Sequence, residues 1–202
     1  MKKIVYYIVS ILILVSVLPL NALAESAVVK SGTTGDCTWV LDGTVLTISG
    51  KGRMQNYESP TNDAPWGKKI SNVVINDGVT YISDYAFFGS NIESITLPDT
   101  VISIGKSSFS RCHELKSIAI PTSILSIGSY AFNDCWKLEK VYITDLVKWL
   151  NINFNWRSNP LSSLSHCGYG GASLYLNGKM VENIIIPNTM VEIKDYVLEG
   201  CS

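Results

Sequence analysis

Residues 92–112 read Ile92-Glu-Ser-Ile95-Thr-Leu97-Pro98-Asp-Thr-Val101-Ile-Ser-Ile104-Gly105-Lys-Ser-Ser-Phe109-Ser-Arg-Cys112. Residues 115–135 read Leu115-Lys-Ser-Ile118-Ala-Ile120-Pro121-Thr-Ser-Ile124-Leu-Ser-Ile127-Gly128-Ser-Tyr-Ala-Phe132-Asn-Asp-Cys135. When Ile92 is aligned with Leu115, the apolar positions of the two segments coincide. A tandem repeat of this length predicts a solenoid in which each copy forms one coil.

Two further copies extend the array. The copy at 70–90 precedes this pair, and the copy at 181–201 follows it after an interruption. Three apolar columns run through the four copies: Ile75, Leu97, Ile120 and Ile186; Ile82, Ile104, Ile127 and Ile193; Phe87, Phe109, Phe132 and Leu198. Parallel strands stack about 4.8 Å apart, so we expect each column to form a buried ladder.

The residues of one copy also predict the shape of its coil. The alternation from Leu115 to Ile120 is typical of a short strand, and Pro121 ends it because proline lacks the N–H that the ladder needs. Gly128 is expected to allow a tight bend, and Tyr130-Ala131-Phe132 to form a helical turn that closes the coil. One copy cannot bury its own apolar face, so the copies must stack.

Residues 1–24 are predicted to be a signal peptide. Lys2 and Lys3 precede an apolar run from Ile4 to Leu18, and Ala22-Leu23-Ala24 is a small-residue cleavage site. An uncleaved signal anchor is the alternative, because the apolar run approaches the length that spans a bilayer. The residue after the cleavage site is Glu25 rather than cysteine, which argues against a lipoprotein anchor.

The composition excludes several classes of protein. An apolar fraction of 47% with 16% charged residues is not that of a disordered chain. The formal charge is -1, and removal of Lys2 and Lys3 with the signal peptide makes it -3. This balance provides no basic field for nucleic acid, and we expect no membrane span after signal cleavage.

Residues 25–69 do not repeat and are predicted to form a β-rich N-terminal cap. Apolar strands flank Asp42-Gly43, which suits a type I′ turn because both central residues of that turn need positive φ. Trp39 and Trp66 allow two interpretations, a sugar-binding platform or part of the core that covers the first coil. The second is favoured because a cap must bury apolar surface.

Residues 70–202 are predicted to form the solenoid, with an irregular insertion at 144–180. Residues 144–150 are expected to begin with a cap and to form a short helix that ends before Asn159-Pro160, and Asn177-Gly178 indicates a second hairpin. The insertion is rich in aromatic residues: Trp149, Phe154, Trp156 and Tyr169.

These motifs resemble the BspA-type leucine-rich repeat proteins of bacterial surfaces. The resemblance is carried by the Ile-Gly pairs at 104–105 and 127–128, by Tyr130-Ala131-Phe132, by the cysteines that close the copies, and by residues 46–54 in the cap. It implies a right-handed leucine-rich repeat solenoid, mainly β with short helical turns, preceded by a small β-hairpin cap. It also implies that the protein acts as an adhesin or a surface antigen, as members of this family mostly do. Lys194 and Leu198 depart from the pattern in the last copy.

No residue pattern indicates an enzyme or a cofactor. Cys112-His113 and His166-Cys167 are the candidates for a thiol hydrolase, but adjacent residues in a strand or coil end point apart. A zinc site is not indicated, since there are two histidines and no Cys-x-x-Cys. Three of the five cysteines occupy one slot of the repeat, which holds Ser90 in the first copy. Export favours disulfides, whereas this slot favours small, buried and reduced side chains.

The outward positions of the repeat strands are the predicted ligand face. Candidate contacts there and in the insertion are Thr96, Lys116, Lys140, Tyr142, Trp149 and Trp156. The favoured alternative is that Glu93, Lys116 and Glu139, one coil apart, pair with one another and leave little charge for a ligand.

The sequence therefore predicts an exported or cell-surface, non-enzymatic binding module for a protein or a glycan. The alternative is a structural spacer or cap segment of a longer surface protein that binds no ligand of its own. The last copy would expose one side of its apolar ladder. Three explanations are open: the chain is a fragment of a longer protein, its end associates with a second molecule, or the last coil frays. The fragment is favoured.

Overall fold

Short strands, stacked coil upon coil, make up most of the computed structural model, which describes residues 29–58, 64–162, 171–188 and 190–199. The predicted signal peptide, Cys167, Tyr169 and Cys201 lie outside these residues. The elements are β1 (Lys30–Thr34), β2 (Cys37–Asp42), β3 (Val45–Gly50), β4 (Gly52–Arg53), β5 (Asn72–Ile75), β6 (Val79–Ile82), β7 (Ser94–Thr96), β8 (Ser103–Ile104), β9 (Ser117–Ala119), β10 (Ser126–Ile127), β11 (Lys140–Ile143), α1 (Leu146–Leu150), β12 (Asn153–Phe154), β13 (Ser173–Leu176) and β14 (Lys179–Met180).

Each of the five coils that begin with β3, β5, β7, β9 and β11 contributes one strand to each of two stacks. The first stack contains β3, β5 and β7, then β9, β11 and β13. The second stack contains β4, β6, β8, β10 and β12 in that order, with parallel pairing throughout. The first stack is divided into two hydrogen-bonded sheets between β7 and β9. This parallel, mainly β arrangement is the predicted leucine-rich repeat solenoid.

The N-terminal strands form an antiparallel sheet that continues into the first stack. β1 pairs with β2, β2 with β3, and β3 then pairs in parallel with β5. The predicted hairpin is present, but its turn lies one residue later than expected. Asp42 pairs with Val45, so the central residues are Gly43 and Thr44, and Gly43 has a positive φ of 58°. Glycine at the first central position is what a type II′ turn requires, so the type I′ prediction was wrong.

Two predictions within the insertion are confirmed. The carboxylate of Asp145 accepts a hydrogen bond of 3.0 Å from the backbone N–H of Lys148 and caps α1. The hairpin between β13 and β14 turns at Asn177 and Gly178, which have φ of 50° and 79°. Both central residues are left-handed, as a type I′ turn demands.

The predicted phenylalanine column is a stack of parallel rings. The centroids of Phe87 and Phe109 lie 5.3 Å apart, and those of Phe109 and Phe132 lie 5.4 Å apart with an interplanar angle of 7°. All three side chains are fully buried. Trp66 continues the stack at 5.8 Å from Phe87, and Trp39 meets Trp66 edge-on. Trp39 and Trp66 are therefore core residues, as favoured, and not a surface platform.

The residues that close each coil are not helical, contrary to expectation for Tyr130-Ala131-Phe132. Tyr130 and Asp134 have φ of 61° and 60°, and both lie in the run of turns that closes this coil. Between these turns the backbone bonds to the next coil, since Phe109 N donates to Ala131 O at 2.9 Å. Arg111 N likewise donates to the next coil, at 2.8 Å. The closing segments thus form a third hydrogen-bonded ladder.

The glycine of each Ile-Gly pair is needed for close approach between coils rather than for an unusual φ. A Cβ on Gly128 would lie 2.6 Å from Lys106 N and 2.8 Å from the carbonyl carbon of Gly105. Neither Gly105 nor Gly128 has a positive φ. Glycine is therefore required at position 128 because the backbone of the preceding coil leaves no room for a side chain, and not because of the tight bend that was expected there.

The register continues through part of the predicted insertion at 144–180, so the loss of register predicted there is wrong for residues 153–154 and 173–176, which pair in parallel with β10 and β11. Ile127 pairs with Phe154, which leaves α1 as the local addition to this coil. The slot that holds Phe132 is filled by the buried Asn159. Asn159 Nδ2 donates to the carbonyl oxygens of Tyr196 at 2.8 Å and Val197 at 3.0 Å. A polar side chain thus joins this coil to the last copy.

The last copy is less regular than the others. Its described residues from 181 to 199 form no strand. Val197 is buried, but apolar side chains are exposed at Ile185, Val191, Ile193 and Leu198. The apolar face of this copy is therefore only partly covered within the described chain.

Candidate binding face

The outward side chains of the first stack change from small to aromatic along the solenoid. Strand register places Ala119 beside Tyr142, and Tyr142 beside Tyr175. Thr96 occupies the equivalent outward position on β7. We call these four residues, Thr96, Ala119, Tyr142 and Tyr175, the strand face. Parallel pairing fixes the order of Ala119, Tyr142 and Tyr175, because equivalent residues of paired strands lie about 4.8 Å apart.

The aromatic end of the strand face is a tilted tyrosine pair. The ring centroids of Tyr142 and Tyr175 are 5.3 Å apart, with an interplanar angle of 46°. The ammonium of Lys140 lies 5.9 Å from the Tyr175 centroid, within the range of a cation–π contact. Both rings are half-buried, which leaves part of each available to a ligand.

A groove of about 480 Å³ runs across the carboxyl ends of these strands. Its walls include Asp99 after β7, Thr122 after β9, Thr144 after β11, and Asn177 in the hairpin turn after β13. Ala119 and Tyr142 line the side next to the strand face. The parallel stack creates this groove because equivalent ends of successive strands meet at one edge.

The six predicted contact residues do not lie together. Thr96, Lys116 and Lys140 are exposed on the first stack, and Tyr142 is half-buried beside the groove. Trp156 is 51% exposed but follows β12 in the second stack, where its ring meets Tyr196 edge-on at 6.0 Å.

The prediction that Trp149 is a surface contact was wrong. Its side chain is 1% exposed and packs edge-on against Phe154, with ring centroids 5.0 Å apart. The apolar face of α1 turns inward and carries this residue into the core, as an amphipathic helix must.

Charges pair across coils, but not at the predicted positions. Among the described residues, no ion pair joins Glu93, Lys116 and Glu139. The cross-coil pairs lie at the coil ends, where Lys137 Nζ meets Glu114 Oε2 at 2.6 Å and Arg111 Nε lies 3.7 Å from Asp134 Oδ2. The hydrogen bond from Lys137 lowers the pKa of the exposed Glu114 carboxyl. The lysines of the strand stack are therefore not neutralised by the predicted partners.

Sequence reasoning missed Tyr175, Asn177 and the groove itself. Tyr142 and Tyr175 pair in register, but their separation in sequence exceeds the repeat period, so the repeat alone could not place the two rings side by side. A second aromatic pair was also missed: Trp136 is 50% exposed and stacks on His113 at 4.0 Å, at the coil end. This pair could have been predicted, because His113-Glu114 in one copy occupies the same positions as Trp136-Lys137 in the next.

The buried thiols have no features of a catalytic nucleophile. Cys112 and Cys135 are fully buried, and each Sγ donates to a carbonyl of the preceding coil, at 3.0 Å to Phe87 and 3.1 Å to Phe109. Burial raises the pKa of the Cys112 thiol to about 12 and that of Cys135 well above its ordinary value. A thiol with a raised pKa is a poor nucleophile. The repeat slot thus holds small buried side chains, as favoured.

Within the described ranges, no group of three or more His, Cys, Asp or Glu side chains is placed to hold a metal ion. In the same residues, no helix has the length and apolar character needed to cross a membrane.

Solved structures that are similar to this chain include two bacterial leucine-rich repeat proteins and a pneumococcal antigen. One from Eubacterium ventriosum is 23% identical, with a TM-score of 0.49, over 74% of this chain and 45% of that chain. One from Bacteroides capillosus is 20% identical, with a TM-score of 0.44, over 73% of this chain and 99% of that chain. The pneumococcal vaccine antigen PcpA is 14% identical, with a TM-score of 0.39, over 76% of this chain and 52% of that chain.

This chain thus spans less than half of the Eubacterium ventriosum protein. No functionally curated protein shows significant similarity to it. A family model for the BspA-type leucine-rich repeat region matches residues 65–167, about half of the 202 residues, with six copies of the repeat. The chain belongs to the BspA-type leucine-rich repeat family.

Proposed function

We propose that this protein is an exported, non-enzymatic binding module that recognises a protein or a glycan through its strand face. The observation that carries the proposal is the groove beside Tyr142, bordered by polar side chains on four successive coils. Concave surfaces with a few placed polar groups are typical ligand sites.

Three further features support the proposal. The signal-peptide pattern of residues 1–24 supports export to the cell surface or the medium. The stacked core provides a rigid support for the exposed side chains, as binding residues require. The thiols are buried and weakly acidic, which favours binding over catalysis as the function.

End-to-end contact is a second candidate role, and the last copy favours it. A cleft of about 720 Å³ lies beside β13 and is lined by Leu174, Val181 and Ile184. Exposed apolar surface of this kind commonly marks an interaction site. In this role the protein acts as a spacer whose last copy contacts a second copy of the chain.

Retention of residues 25–202 on immobilised glycans and extracellular-matrix proteins tests the first role. We expect at least one ligand to be retained, and the variant Tyr142→Ala/Tyr175→Ala to lose it, because the two rings are the largest contact surface of the strand face. Trp136→Ala is the control, since Trp136 is an exposed aromatic residue at the coil end. If the protein is retained on neither the glycans nor the matrix proteins, the binding role is refuted. A concentration-dependent dimer in analytical sedimentation would then favour the spacer role.

A further inference from the structure

The groove has a step at its centre where a small residue adjoins a ring. Ala119 pairs in register with Tyr142, and both line the groove. Tyr175 stacks on the opposite side of Tyr142 at 5.3 Å. Because Ala119 has only a methyl group, no large side chain from β9 covers the Tyr142 ring on that side. The step is therefore a hollow of about one strand spacing beside an aromatic face.

The rim of the hollow is polar and almost uncharged. Thr122, Thr144 and Asn177 are exposed and supply two hydroxyls and a carboxamide. These groups can both donate and accept hydrogen bonds. Asp99 is the charged side chain among the described lining residues, and no lysine or arginine accompanies it there. An anionic ligand would meet a carboxylate without a neutralising cation, so the rim favours a neutral ligand rich in hydroxyl groups.

The floor is unsuited to a peptide. Ile120 and Ile143 contribute to it, but each is 4% exposed with its side chain in the core, so these two residues offer little apolar surface to an anchor residue. The apolar lining that is partly exposed is limited to Leu97 and Pro121 among the described residues beside Ala119 and Tyr142. The backbone groups between β9 and β11 are already hydrogen-bonded, since Ile120 N donates to Tyr142 O at 2.9 Å and the two strands pair. Adding a peptide strand requires a free strand edge, and none is free between β9 and β11 because the two strands pair with each other.

A buried donor lies beneath the same rim. Trp149 lines a small cavity of about 10 Å³ that shares Thr122 and Thr144 with the groove. Its Nε1 is buried and has no acceptor among the described residues. Buried N–H groups are normally paired because an unpaired one carries a desolvation cost. An oxygen atom delivered between Thr122 and Thr144 would approach the wall that Trp149 forms.

From these features we infer that the groove is a binding site for neutral carbohydrate. One sugar ring stacks on Tyr142 in the hollow above Ala119, and its hydroxyls bond to Thr122, Thr144 and Asn177. This assignment rests on the proposed function, since it names the ligand class of that face. The apolar face of a pyranose matches an aromatic ring, and its equatorial hydroxyls match a polar rim.

The test is retention of residues 25–202 on a glycan array that carries neutral hexose, neutral N-acetylhexosamine, sialylated and sulfated oligosaccharides. We expect retention on a subset of the neutral glycans. Tyr142→Ala should weaken it about tenfold or more, as loss of a central aromatic contact does. Tyr142→Phe should keep most of it, because the stacking face is retained.

Ala119→Leu tests the hollow without removing any contact in the core. Ala119 is exposed, so this variant should fold normally, and its added bulk should abolish retention by covering the Tyr142 ring. Trp136→Ala should bind like the parent. Melting curves for all variants separate loss of binding from loss of folding.

Three results would overturn the carbohydrate assignment: no retained neutral glycan, a preference for sialylated or sulfated glycans, or full retention by the folded Ala119→Leu variant. Retention of a matrix protein through Tyr142 and Tyr175 without any glycan would also overturn it, while the proposed function would stand.

Discussion

Phe109→Ala is expected to lower the free energy of unfolding by about 3 to 5 kcal/mol, the cost of emptying a buried aromatic site. Phe109 is fully buried and lies between two parallel rings, 5.3 Å from Phe87 and 5.4 Å from Phe132. Its loss removes both stacking contacts and leaves a cavity that the backbone ladders on either side prevent from closing. Equilibrium unfolding in urea measures the difference.

Thr96→Ala is the matched control. Thr96 is exposed on β7, so removing its hydroxyl and methyl groups should change the free energy of unfolding by less than about 0.5 kcal/mol. Equal losses in the two variants would contradict the assignment of inward and outward positions in the repeat.

Gly128→Ala should be the second strongly destabilising change, at roughly 1 to 3 kcal/mol. The added methyl group would lie 2.6 Å from Lys106 N and 2.8 Å from the carbonyl carbon of Gly105. Both are backbone atoms of the neighbouring coil, so no side chain can rotate away. Relief requires the coils to separate, which strains the bond from Gly128 N to Ile104 O. The melting temperature and urea midpoint should both fall.

Gly89→Asp controls for the general cost of replacing a glycine. Gly89 has a φ of 66°, and a Cβ there would meet no atom within 4 Å. The equivalent positions of the next two coils are Arg111 and Asp134, which adopt φ of 60° without glycine. The variant should therefore lose less stability than Gly128→Ala. A larger loss at Gly89 would show that φ, and not contact between coils, sets the need for glycine.

The repeat columns were predictable because they depend on burial alone. Phe87, Phe109 and Phe132 recur at one slot of consecutive coils, and an apolar slot in stacked copies must face the core. The prediction of a buried ladder is wrong for Leu198 in the last copy, which is 38% exposed. The same reasoning located Trp39 and Trp66, since the first coil needs a cover. The hairpin at Asn177-Gly178 was predictable because its turn type demands particular residues.

The closing turns were not predictable from local propensity. Tyr130 is left-handed, a conformation that costs a non-glycine residue about 1 kcal/mol or more. It is held there by the bond from its backbone N–H to Trp156 O in the next coil, a contact between residues far apart in sequence. Residues that favour helical turns are thus overridden by the ladder between coils.

The register of the coil that contains α1 could not be predicted from the sequence, for a different reason. Its strand β12 pairs at a longer spacing than the regular copies, and Asn159 occupies the slot where the other coils hold phenylalanine. Neither the spacing nor the residue type matched the pattern. For the candidate site, sequence patterning indicated that Tyr142 faces outward. The second ring of the strand face, Tyr175, and the groove residue Asn177 come alongside only through the pairing of β11 with β13.

The rigidity of the strand face depends on coils joined by hydrogen-bonded ladders, and amide hydrogen exchange tests this arrangement most directly. Phe87 N, Phe109 N and Arg111 N each donate across coils, at 2.8, 2.9 and 2.8 Å. We expect these three amides to exchange as slowly as those of β9 and β11, because they open only when neighbouring coils separate. Fast exchange at these amides beside slow exchange in the strands would contradict the third ladder and the stacked coils built on it.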